Sequence, residues 1–339
     1  MKEAMHTKQL SPVYKEAFVF PTNTLEWISQ NNLWRLWVPK AYNGLELSLT
    51  EGLQKLQTLA KTDGSLGWTI TLCSGATYFI GNLQPEVADA IFLSGNNQIC
   101  FGGSGGVFGV AEKQGDNYII SGEWRYATGA PYLTHFTLNA KIMDNGNMVL
   151  KDDGTPLVYS FVIPKNDVSI IYDWQAMGLK ATATHSFKLH EVVVPKTHAF
   201  VYNTFYLPQP IFKIPFTVFA DVTLFANYLG MATHFYDEAS NIVSTEHTLQ
   251  LQNVLQQANQ LLYTIANTID AYTNNQTPIT EAYTNTIHTT TSNLVTQLTN
   301  AIITLYPKLG IKACSEPHIL NRIFRDYFTA TQHHNFVGR

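Results

Sequence analysis

The sequence predicts an α+β chain with a helical N-terminal domain, a middle β-barrel or sandwich and a C-terminal antiparallel four-helix bundle. Three observations support this prediction: helical spacing of apolar residues in the first part, short β-rich runs in the middle, and long amphipathic stripes in the last part. We place the domains at residues 1–96, 97–200 and 210–339. With 339 residues, the chain is long enough for two or three packing units.

The N-terminal part is predicted to form three to four helices. Residues 50–60 carry leucines at helical spacing, and Ser65 is a candidate N-cap for an apolar helix over residues 66–80. Pro85 opens a further short helix, because proline is tolerated in the first turn, where its missing N–H has no intrahelical partner.

Turn residues separate the β-rich runs of the middle part. The segment Gly115-Asp116-Asn117 lies between VFGVAEKQ and YIISGEW and predicts a β-hairpin. Further strands are expected at THFTLNAKI, PLVYSFVI, VSIIY and HSFKLHEVVV. Residues 102–109 contain many glycines, which favours a loop whose backbone can approach a ligand closely over a regular strand.

Apolar residues at helical spacing mark three long helices in the last part, and a fourth helix is predicted from about Glu316 to the end. The stripes are Val222, Phe225, Leu229, Ala232 and Tyr236; Leu251, Val254, Leu255, Ala258, Leu262, Ile265 and Ile269; and Tyr283, Ile287, Leu294, Leu298, Ala301 and Leu305. An antiparallel bundle buries such stripes. Because the seams are leucine-rich and carry few charges, we expect a homodimer or homotetramer formed through the bundle.

Composition excludes several classes of partner. The 21 basic and 25 acidic residues leave a formal net charge of −4, so we expect no nucleic-acid partner. The first 18 residues lack the apolar core of a secretory signal, and no window approaches the roughly 20 apolar residues of a membrane span. Cys73, Cys100 and Cys314 are widely spaced, which favours free thiols in a cytoplasmic protein over disulfides or a metal site.

A specific motif lies between the β part and the bundle. Trp174 is followed by Gly178-Leu179-Lys180-Ala181-Thr182 and then by a strand that ends in Val194-Pro195. This stretch resembles the Trp-x-x-x-Gly-[Met/Leu/Ile]-[Arg/Lys]-x-[Ser/Thr] turn and the following strand of the acyl-CoA dehydrogenase superfamily, which includes related reduced-flavin-dependent monooxygenases. The order of helices, β domain and bundle is similar as well. The resemblance implies a flavin cofactor, FAD or FMN, and a small organic substrate.

The segment from Gly122 to Ala130 is a second point of resemblance. In the family, the corresponding strand brings an aromatic residue and a hydroxyl residue to the flavin ring, whose N5 and O4 atoms need a hydrogen-bond partner and whose faces need an apolar wall. The resemblance implies Thr128 as the hydroxyl residue, with Tyr126 or Trp124 beside the ring. Alternatively, the two aromatic residues alternate as core residues of a strand.

The glycine-rich segment from Phe101 to Gly106 is a third candidate. In the dehydrogenases, the corresponding place carries Thr-Glu-Pro and Gly-Ser, which hold flavin and pyrophosphate. This chain retains only the glycine and serine content, so Gly103 and Ser104 are interpreted either as ligand contacts or as part of a plain turn.

Basic residues are missing where the family commonly offers an arginine to the flavin pyrophosphate. There is no Lys or Arg between Lys213 and Lys308. The remaining candidates for the phosphates are backbone amides, Lys180 and the pair Arg322 and Arg325. A diffusible reduced flavin fits such weak retention better than a tightly bound one.

The last predicted helix resembles that of the monooxygenase branch, with an Arg-Asp pair and a histidine seven residues after the aspartate. On a helix, Asp326, Thr329 and His333 would lie near one face, and Arg322 could pair with Asp326. His333 could then serve as an acid or a base near neutral pH. The alternative is the polar face of an ordinary terminal helix.

The resemblance implies a flavin-dependent oxidoreductase of the acyl-CoA dehydrogenase type, acting on an acyl-CoA or a similar small substrate. Acyl-CoA dehydrogenation needs a bundle carboxylate as base, yet none of the bundle carboxylates lies in a recognisable copy of that loop. These are Asp221, Asp237, Glu238, Glu246, Asp270 and Glu281. A reduced-flavin-dependent monooxygenase is the alternative, although TITLCSGATYF lacks the histidine that this branch often has there. A non-catalytic protein of the same fold is the second alternative.

Overall fold

Four helices precede the first strand in the computed structural model, which describes residues 17–95 and 98–336. They are α1 (Thr22–Gln30), α2 (Leu49–Thr62), α3 (Gly64–Thr77) and α4 (Pro85–Phe92). The predicted helices at residues 50–60 and at Pro85 are confirmed, and Pro85 occupies the first turn of α4. The absence of a secretory signal was predicted from residues that include 1–16, which lie outside the described residues.

The helix α3 is capped by Asp63, so the prediction of Ser65 as the cap is wrong. The Asp63 side chain accepts a hydrogen bond from the Leu66 N–H at 2.9 Å, and the helix already begins at Gly64. Ser65 therefore lies inside the first turn. Aspartate caps a helix as well as serine does, and its charge also suits the positive end of the helix dipole.

The middle part forms one mixed sheet in the order β6-β7-β2-β1-β3-β5-β8, with β4 paired to β3. The strands are β1 (Phe101–Gln114), β2 (Asn117–Ala127), β3 (His135–Asp144), β4 (Asn147–Met148), β5 (Val158–Pro164), β6 (Ser169–Ile171), β7 (His185–Pro195) and β8 (Ala199–Phe200). β1 and β3 are parallel, and the other pairs are antiparallel. The predicted hairpin is confirmed, since Gln114 pairs with Asn117.

The sheet is strongly rolled. The rings of Tyr118 on β2 and Tyr159 on β5 lie 6.4 Å apart, although β1 and β3 separate these strands in the hydrogen-bonded order. Strands that are about 4.8 Å from each neighbour can bring such rings together only if the sheet curls. The barrel-like middle part that the sequence predicts is consistent with this curvature.

The glycine-rich residues 102–109 belong to β1, so the prediction of a loop is wrong. A Cβ atom at Gly103 would lie 1.8 Å from the Thr137 carbonyl oxygen, which shows that glycine is needed for the close approach of β3. The pairing of β1 with β3 shifts register between Ser104 and Val107 and again before Gly109. Glycine here permits bulges within a strand rather than ending it.

The last part is a bundle of α5 (Phe216–Ser240), α6 (Thr245–Asn274), α7 (Glu281–Leu305) and α8 (Ile319–Ala330). α5 is buried on nearly all faces, because α2, α6, α7 and α8 all pack against it. The last helix ends at Ala330. The expectation that it continues to the end of the chain is therefore wrong as far as Phe336, the last residue that the structure describes.

Among the described residues, no helix combines the length and the apolarity that a membrane crossing would need.

Candidate active site

Three threonine hydroxyls form a hydrogen-bonded chain behind the turn that follows Trp174. Thr182 Oγ1 donates to the Leu179 carbonyl oxygen at 2.7 Å, and its own oxygen lies 2.7 Å from Thr184 Oγ1. Thr184 Oγ1 lies 3.2 Å from Thr128 Oγ1. Each hydroxyl has one proton, so if Thr182 gives its proton to the Leu179 carbonyl oxygen, Thr184 donates to Thr182 and Thr128 donates to Thr184. The lone pairs of Thr128 remain available as acceptors.

Tyr126 presents an exposed ring close to Thr128. Its side chain is 67% exposed, and its φ of 68° places it in the left-handed region. The register between β2 and β7 shifts between Trp124 and Ala127, which turns Tyr126 outward. Its ring meets the ring of Trp174 edge to face at 6.4 Å. The two aromatic side chains therefore form an open apolar wall.

Trp124 is a core residue, and the interpretation of it as a wall for a flavin ring is wrong. Its side chain is fully buried, and its indole N–H donates to the Asn139 carbonyl oxygen at 2.9 Å. Its ring stacks on Phe187 at 5.4 Å. Alternation along β2 points Trp124 into the roll of the sheet.

Gly103 and Ser104 lie in β1, in the part where its pairing is irregular. Ser104 Oγ accepts a long hydrogen bond of 3.4 Å from the Gly106 N–H. The glycine next to Thr128 is Gly102, where a Cβ atom would lie 3.0 Å from the Thr128 carbonyl oxygen. The backbone of this segment is thus close to Thr128, whereas the Ser104 hydroxyl forms its hydrogen bond within the segment, with Gly106.

The turn at Gly178 is clamped onto α8. Its N–H donates to Thr329 Oγ1 at 3.0 Å, and the Leu179 N–H donates to Asp326 Oδ1 at 2.6 Å. A Cβ atom at Gly178 would lie 2.2 Å from the Arg325 carbonyl oxygen. Only glycine fits this contact, and this explains why the motif has a glycine at this position. Asp326 and Thr329 therefore hold the turn that leads to the threonine chain.

Asp326 lies in a buried group of charges with Asp63 and Arg322. Burial and the neighbouring Asp63 raise the pKa of Asp326 to about 7, and burial raises the pKa of Asp63. The ion pair of Arg322 is with Asp63, at 3.8 Å between Nη1 and Oδ2, instead of the predicted pair with Asp326. Asp63 competes for Arg322 because the start of α3 meets α8 here, a contact that helical spacing cannot reveal.

The three basic candidates for phosphate contact, Lys180, Arg322 and Arg325, line one small cleft beside this group. Its volume of 20 Å³ has room for about one water molecule. Lys180 also lies 5.5 Å from the centre of the Phe18 ring. The structure thus brings together basic residues that are more than 140 positions apart in the sequence.

His333 lies in the turn after α8 and not on the face that Asp326 and Thr329 share. Its ring meets Trp68 edge to face at 5.5 Å, and its Nδ1 accepts the Asn335 N–H at 3.4 Å. The proton of the neutral ring is therefore on Nε2. Burial lowers the pKa of His333 to about 4. A ring with this pKa is neutral near pH 7 and can serve as a donor, which differs from the expectation of an acid or base that titrates near neutral pH.

Sequence reasoning missed His288 and Asn335, which meet Asp221 near the same turn. His288 Nδ1 lies 3.1 Å from Asp221 Oδ1, and Asn335 Nδ2 donates to the same oxygen at 2.7 Å. The sequence did contain an indication of this group, because Asp221 lies in the otherwise apolar first stripe of the bundle and a buried carboxylate needs hydrogen-bond partners. Its partners could not be identified without the fold.

The order of helices, mixed sheet and helical bundle is the architecture of acyl-CoA dehydrogenases. A family model described as the C-terminal domain of acyl-CoA dehydrogenase matches residues 250–337. The HsaA monooxygenase from M. tuberculosis aligns with a TM-score of 0.90 and 15% identity, over 99% of this chain and 92% of that one. XiaF from Streptomyces sp., in complex with FADH2 and glycerol, aligns with a TM-score of 0.86 and 18% identity, over 99% and 93%. The chain thus has the acyl-CoA dehydrogenase-type fold, and its C-terminal part matches the model of that family's C-terminal domain.

Its curated relatives include oxygenases. The indole-3-acetate monooxygenase of Acinetobacter baumannii is 28% identical over 220 residues, which cover 63% of this chain and 53% of the relative. The oxygenase component of p-hydroxyphenylacetate 3-hydroxylase from Acinetobacter baumannii is 25% identical over 178 residues, which cover 52% and 40%. The chain thus spans about half the length of the curated relatives it matches.

Proposed function

We propose that this chain is the oxygenase component of a reduced-flavin-dependent monooxygenase with a small aromatic substrate. The direction of the threonine chain carries this proposal, because Thr128 has accepting lone pairs and has given its proton to Thr184. The N5 atom of a reduced flavin bears a hydrogen and can donate to Thr128, whereas N5 of an oxidised flavin can only accept. This arrangement would favour the reduced cofactor.

Acyl-CoA dehydrogenation, the first expectation from the sequence, is less well supported. It needs an oxidised flavin and an available carboxylate base in the bundle. Asp221 is bonded to His288 and Asn335, Asp237 pairs with Lys61 at 2.7 Å, and Asp270 accepts the N–H groups of Leu49 and Thr50. Three of the six bundle carboxylates thus have structural partners, and the names of the curated relatives also support the monooxygenase alternative.

The flavin, FADH2 or reduced FMN, would contact Thr128 through its ring and the Tyr126–Trp174 wall through its apolar face. Lys180 and Arg322 would supply positive charge towards its phosphates, and the backbone around Gly103 and Ser104 would lie nearby. When bound, reduced flavin supplies the two electrons with which one oxygen atom of O2 enters a substrate and the other leaves as water. Because this use consumes the reduced cofactor, a separate flavin reductase would be the partner.

His333 would act on the substrate as a neutral hydrogen-bond donor through Nε2. Its edge-to-face contact with Trp68 and its partial burial would shield one side of the ring from water, which would strengthen a bond made there. Aromatic substrates are named for several relatives, including indole-3-acetate, p-hydroxyphenylacetate and resorcinol. A polar group on such a ring is the partner that we propose for His333.

Anaerobic flavin titration tests the proposal. We expect reduced FAD or FMN to bind about tenfold more tightly than the oxidised form, which corresponds to about one hydrogen bond. Thr128→Val should remove most of this preference. Thr137→Val is the matched control, because Thr137 is a buried strand threonine outside the chain of three hydroxyls.

A turnover assay completes the test. With a flavin reductase, NADH and oxygen, a panel of indole- and phenol-acetates should give a product that is heavier by one oxygen atom. Equal affinity for both flavin states, together with bleaching of bound oxidised flavin by an acyl-CoA, would instead support dehydrogenation.

A further inference from the structure

A buried carboxylate links α5 to the segment that bears His333. Asp221 is 3% exposed and lies on α5, among apolar residues. It accepts a hydrogen bond of 2.7 Å from Asn335 Nδ2, and its two oxygens lie 3.1 and 3.2 Å from His288 Nδ1. These partners come from α7 and from the turn after α8. The candidate site described above does not use Asp221 or His288.

The direction of these hydrogen bonds follows from the chemistry of the groups. The side-chain NH2 of Asn335 donates, and a carboxylate only accepts, so His288 carries a proton on Nδ1 towards Asp221. Burial raises the pKa of Asp221, and the bonds from Asn335 and His288 oppose that shift. A buried carboxylate that lost these donors would be unpaired, which is strongly unfavourable. The buried Asp221 carboxylate therefore depends on its two donors, His288 and Asn335.

Asn335 transmits this arrangement to His333. Its side chain is bonded to Asp221, and its backbone N–H donates to His333 Nδ1 at 3.4 Å. The same bond determines which nitrogen of His333 carries the proton. A shift of Asn335 would therefore change both the place and the tautomer of the histidine.

Further contacts hold the same segment, residues 331–336, against the bundle. The Tyr228 hydroxyl donates to the Ala330 carbonyl oxygen at 2.6 Å, just before the segment. The Phe336 ring lies 6.2 Å from His288, nearly parallel to it, and 5.7 Å from Tyr228. His288 is thus both a donor to Asp221 and a platform for Phe336.

We propose that Asp221 is a positioning residue for His333: its carboxylate holds His288 and Asn335 together and so orders residues 331–336 in the arrangement that aims the histidine. The catalytic part of this proposal rests on the proposed function. The ordering of the segment does not, and it can be measured without any flavin.

Hydrogen exchange on the full chain tests the ordering. In Asp221→Ala, amides of residues 331–336 should exchange about tenfold faster, since one or two hydrogen bonds that oppose local opening are lost. Asp237→Asn is the matched control on the same helix, because its ion pair with Lys61 is exposed, and it should leave exchange in the segment unchanged. Unchanged exchange in Asp221→Ala would overturn the proposal.

Two further sets of variants keep the test independent of misfolding. His288→Gln retains a donor for Asp221 and should preserve most of the protection, whereas His288→Leu should lose it. Asn335→Ala should match Asp221→Ala, and the double variant should be no worse than either single one, because both remove the same link. Additive effects of the two substitutions would contradict a shared role.

Turnover separates the two proposals. Product formed per oxygen consumed should fall about tenfold in Asp221→Ala, with the KM for reduced flavin unchanged, because misplacing His333 affects substrate and not cofactor binding. If exchange rises but product per oxygen does not fall, Asp221 does not position a catalytic His333. If the unaltered chain forms no product from any aromatic substrate, the proposed function fails while the effect on exchange still stands.

Discussion

At the scale of single residues, His333 illustrates how an environment selects one role for a side chain. Histidine in water titrates near pH 6.5, which makes it an attractive acid or base in any sequence. Here burial lowers its pKa to about 4, and the Asn335 N–H occupies Nδ1. Between pH 6 and 8 the ring therefore stays neutral, with Nε2 as its donor.

This leads to a prediction for His333→Ala. Loss of the proposed donor to the substrate should lower kcat by about 100-fold, with little change in flavin affinity. His333→Gln, which keeps an N–H donor, should retain more activity, and His334→Ala is the exposed neighbouring control. Steady-state turnover measured between pH 6 and 8 tests whether His333 stays neutral. A change in rate over this range that is present in the unaltered chain and absent in His333→Ala would mean that His333 titrates there.

Asp326 gives a second residue-scale prediction, on stability. Its pKa is about 7 in the folded chain, against 3.8 for the ordinary aspartate, so the folded state binds this proton more tightly than the unfolded state does. Its contribution to the free energy of unfolding should be greatest below about pH 4 and should decrease as pH rises to about 7. Asp326→Asn keeps an acceptor for the Leu179 N–H and should flatten this dependence. Urea unfolding from pH 4.5 to 7.5 measures it.

The matched control for this measurement is Asp173→Asn. Burial opposes the shift, but hydrogen bonds from Ser186 lower the pKa of Asp173 below its ordinary 3.8, so its contribution is lost only at more acidic pH and should be constant from pH 4.5 to 7.5. If Asp326→Asn retains the full loss of stability towards pH 7, Asp326 is not the group responsible. Asp63, whose pKa burial also raises, would then be the next candidate.

At the scale of elements, the contact between the Gly178 turn and α8 joins the β part to the bundle. The two N–H groups of the turn are bound by Asp326 and Thr329, and backbone meets backbone at Arg325. No side chain has room at residue 178. The motif around Gly178 therefore serves the junction of two elements.

Substituting this glycine tests the contact. Gly178→Ala should destabilise the fold by about 1–3 kcal/mol, because the new methyl group would overlap the Arg325 carbonyl group. Gly75→Ala in α3 is the matched control, since its Cβ atom would lie 3.8 Å from Phe219, and it should be neutral or stabilising by about 0.5–1 kcal/mol. Thermal unfolding of both variants decides the matter, and equal melting temperatures would rule out the close contact.

At the scale of the whole molecule, the bundle has a surface suited to self-association. It carries no Lys or Arg between Lys213 and Lys308, and large apolar side chains on it are exposed, namely Ile242, Leu249 and Ile303. Burying such a surface against a second copy removes apolar area from water and costs little desolvation of charged groups. A homodimer or homotetramer therefore stays our proposal for the assembly.

Sedimentation velocity tests this proposal. We expect a dimer or tetramer at about 10 µM, and Leu249→Glu or Ile303→Glu should shift the distribution towards the monomer, because association would then bury a charge. Val193→Glu, at an exposed apolar site on the sheet, is the control. A stable monomer of the unaltered chain at this concentration would refute self-association.

The sequence by itself determined the order of helices, sheet and bundle, because the periods of apolar residues report local structure directly. The domain limits at 1–96, 97–200 and 210–339 stay a prediction, and residues 1–16 lie outside the described part of the chain. The motif around Gly178 also located the turn and two of the residues near it, Lys180 and Thr182. Each of these inferences needs only neighbouring residues.

Only the tertiary structure decided which side chains meet. The Trp124 side chain points into the interior of the rolled sheet and the Tyr126 side chain points outward, because a register shift lies between the two residues. Arg322 forms an ion pair with Asp63, and Asp221 accepts a hydrogen bond from Asn335, which is 114 positions away in the sequence. Pairings of this kind depend on how whole elements pack, and burial then fixes their charges and tautomers. The residue types could suggest a flavin site, but the direction of the hydrogen bond at Thr128 came from three threonines that meet only in the folded chain.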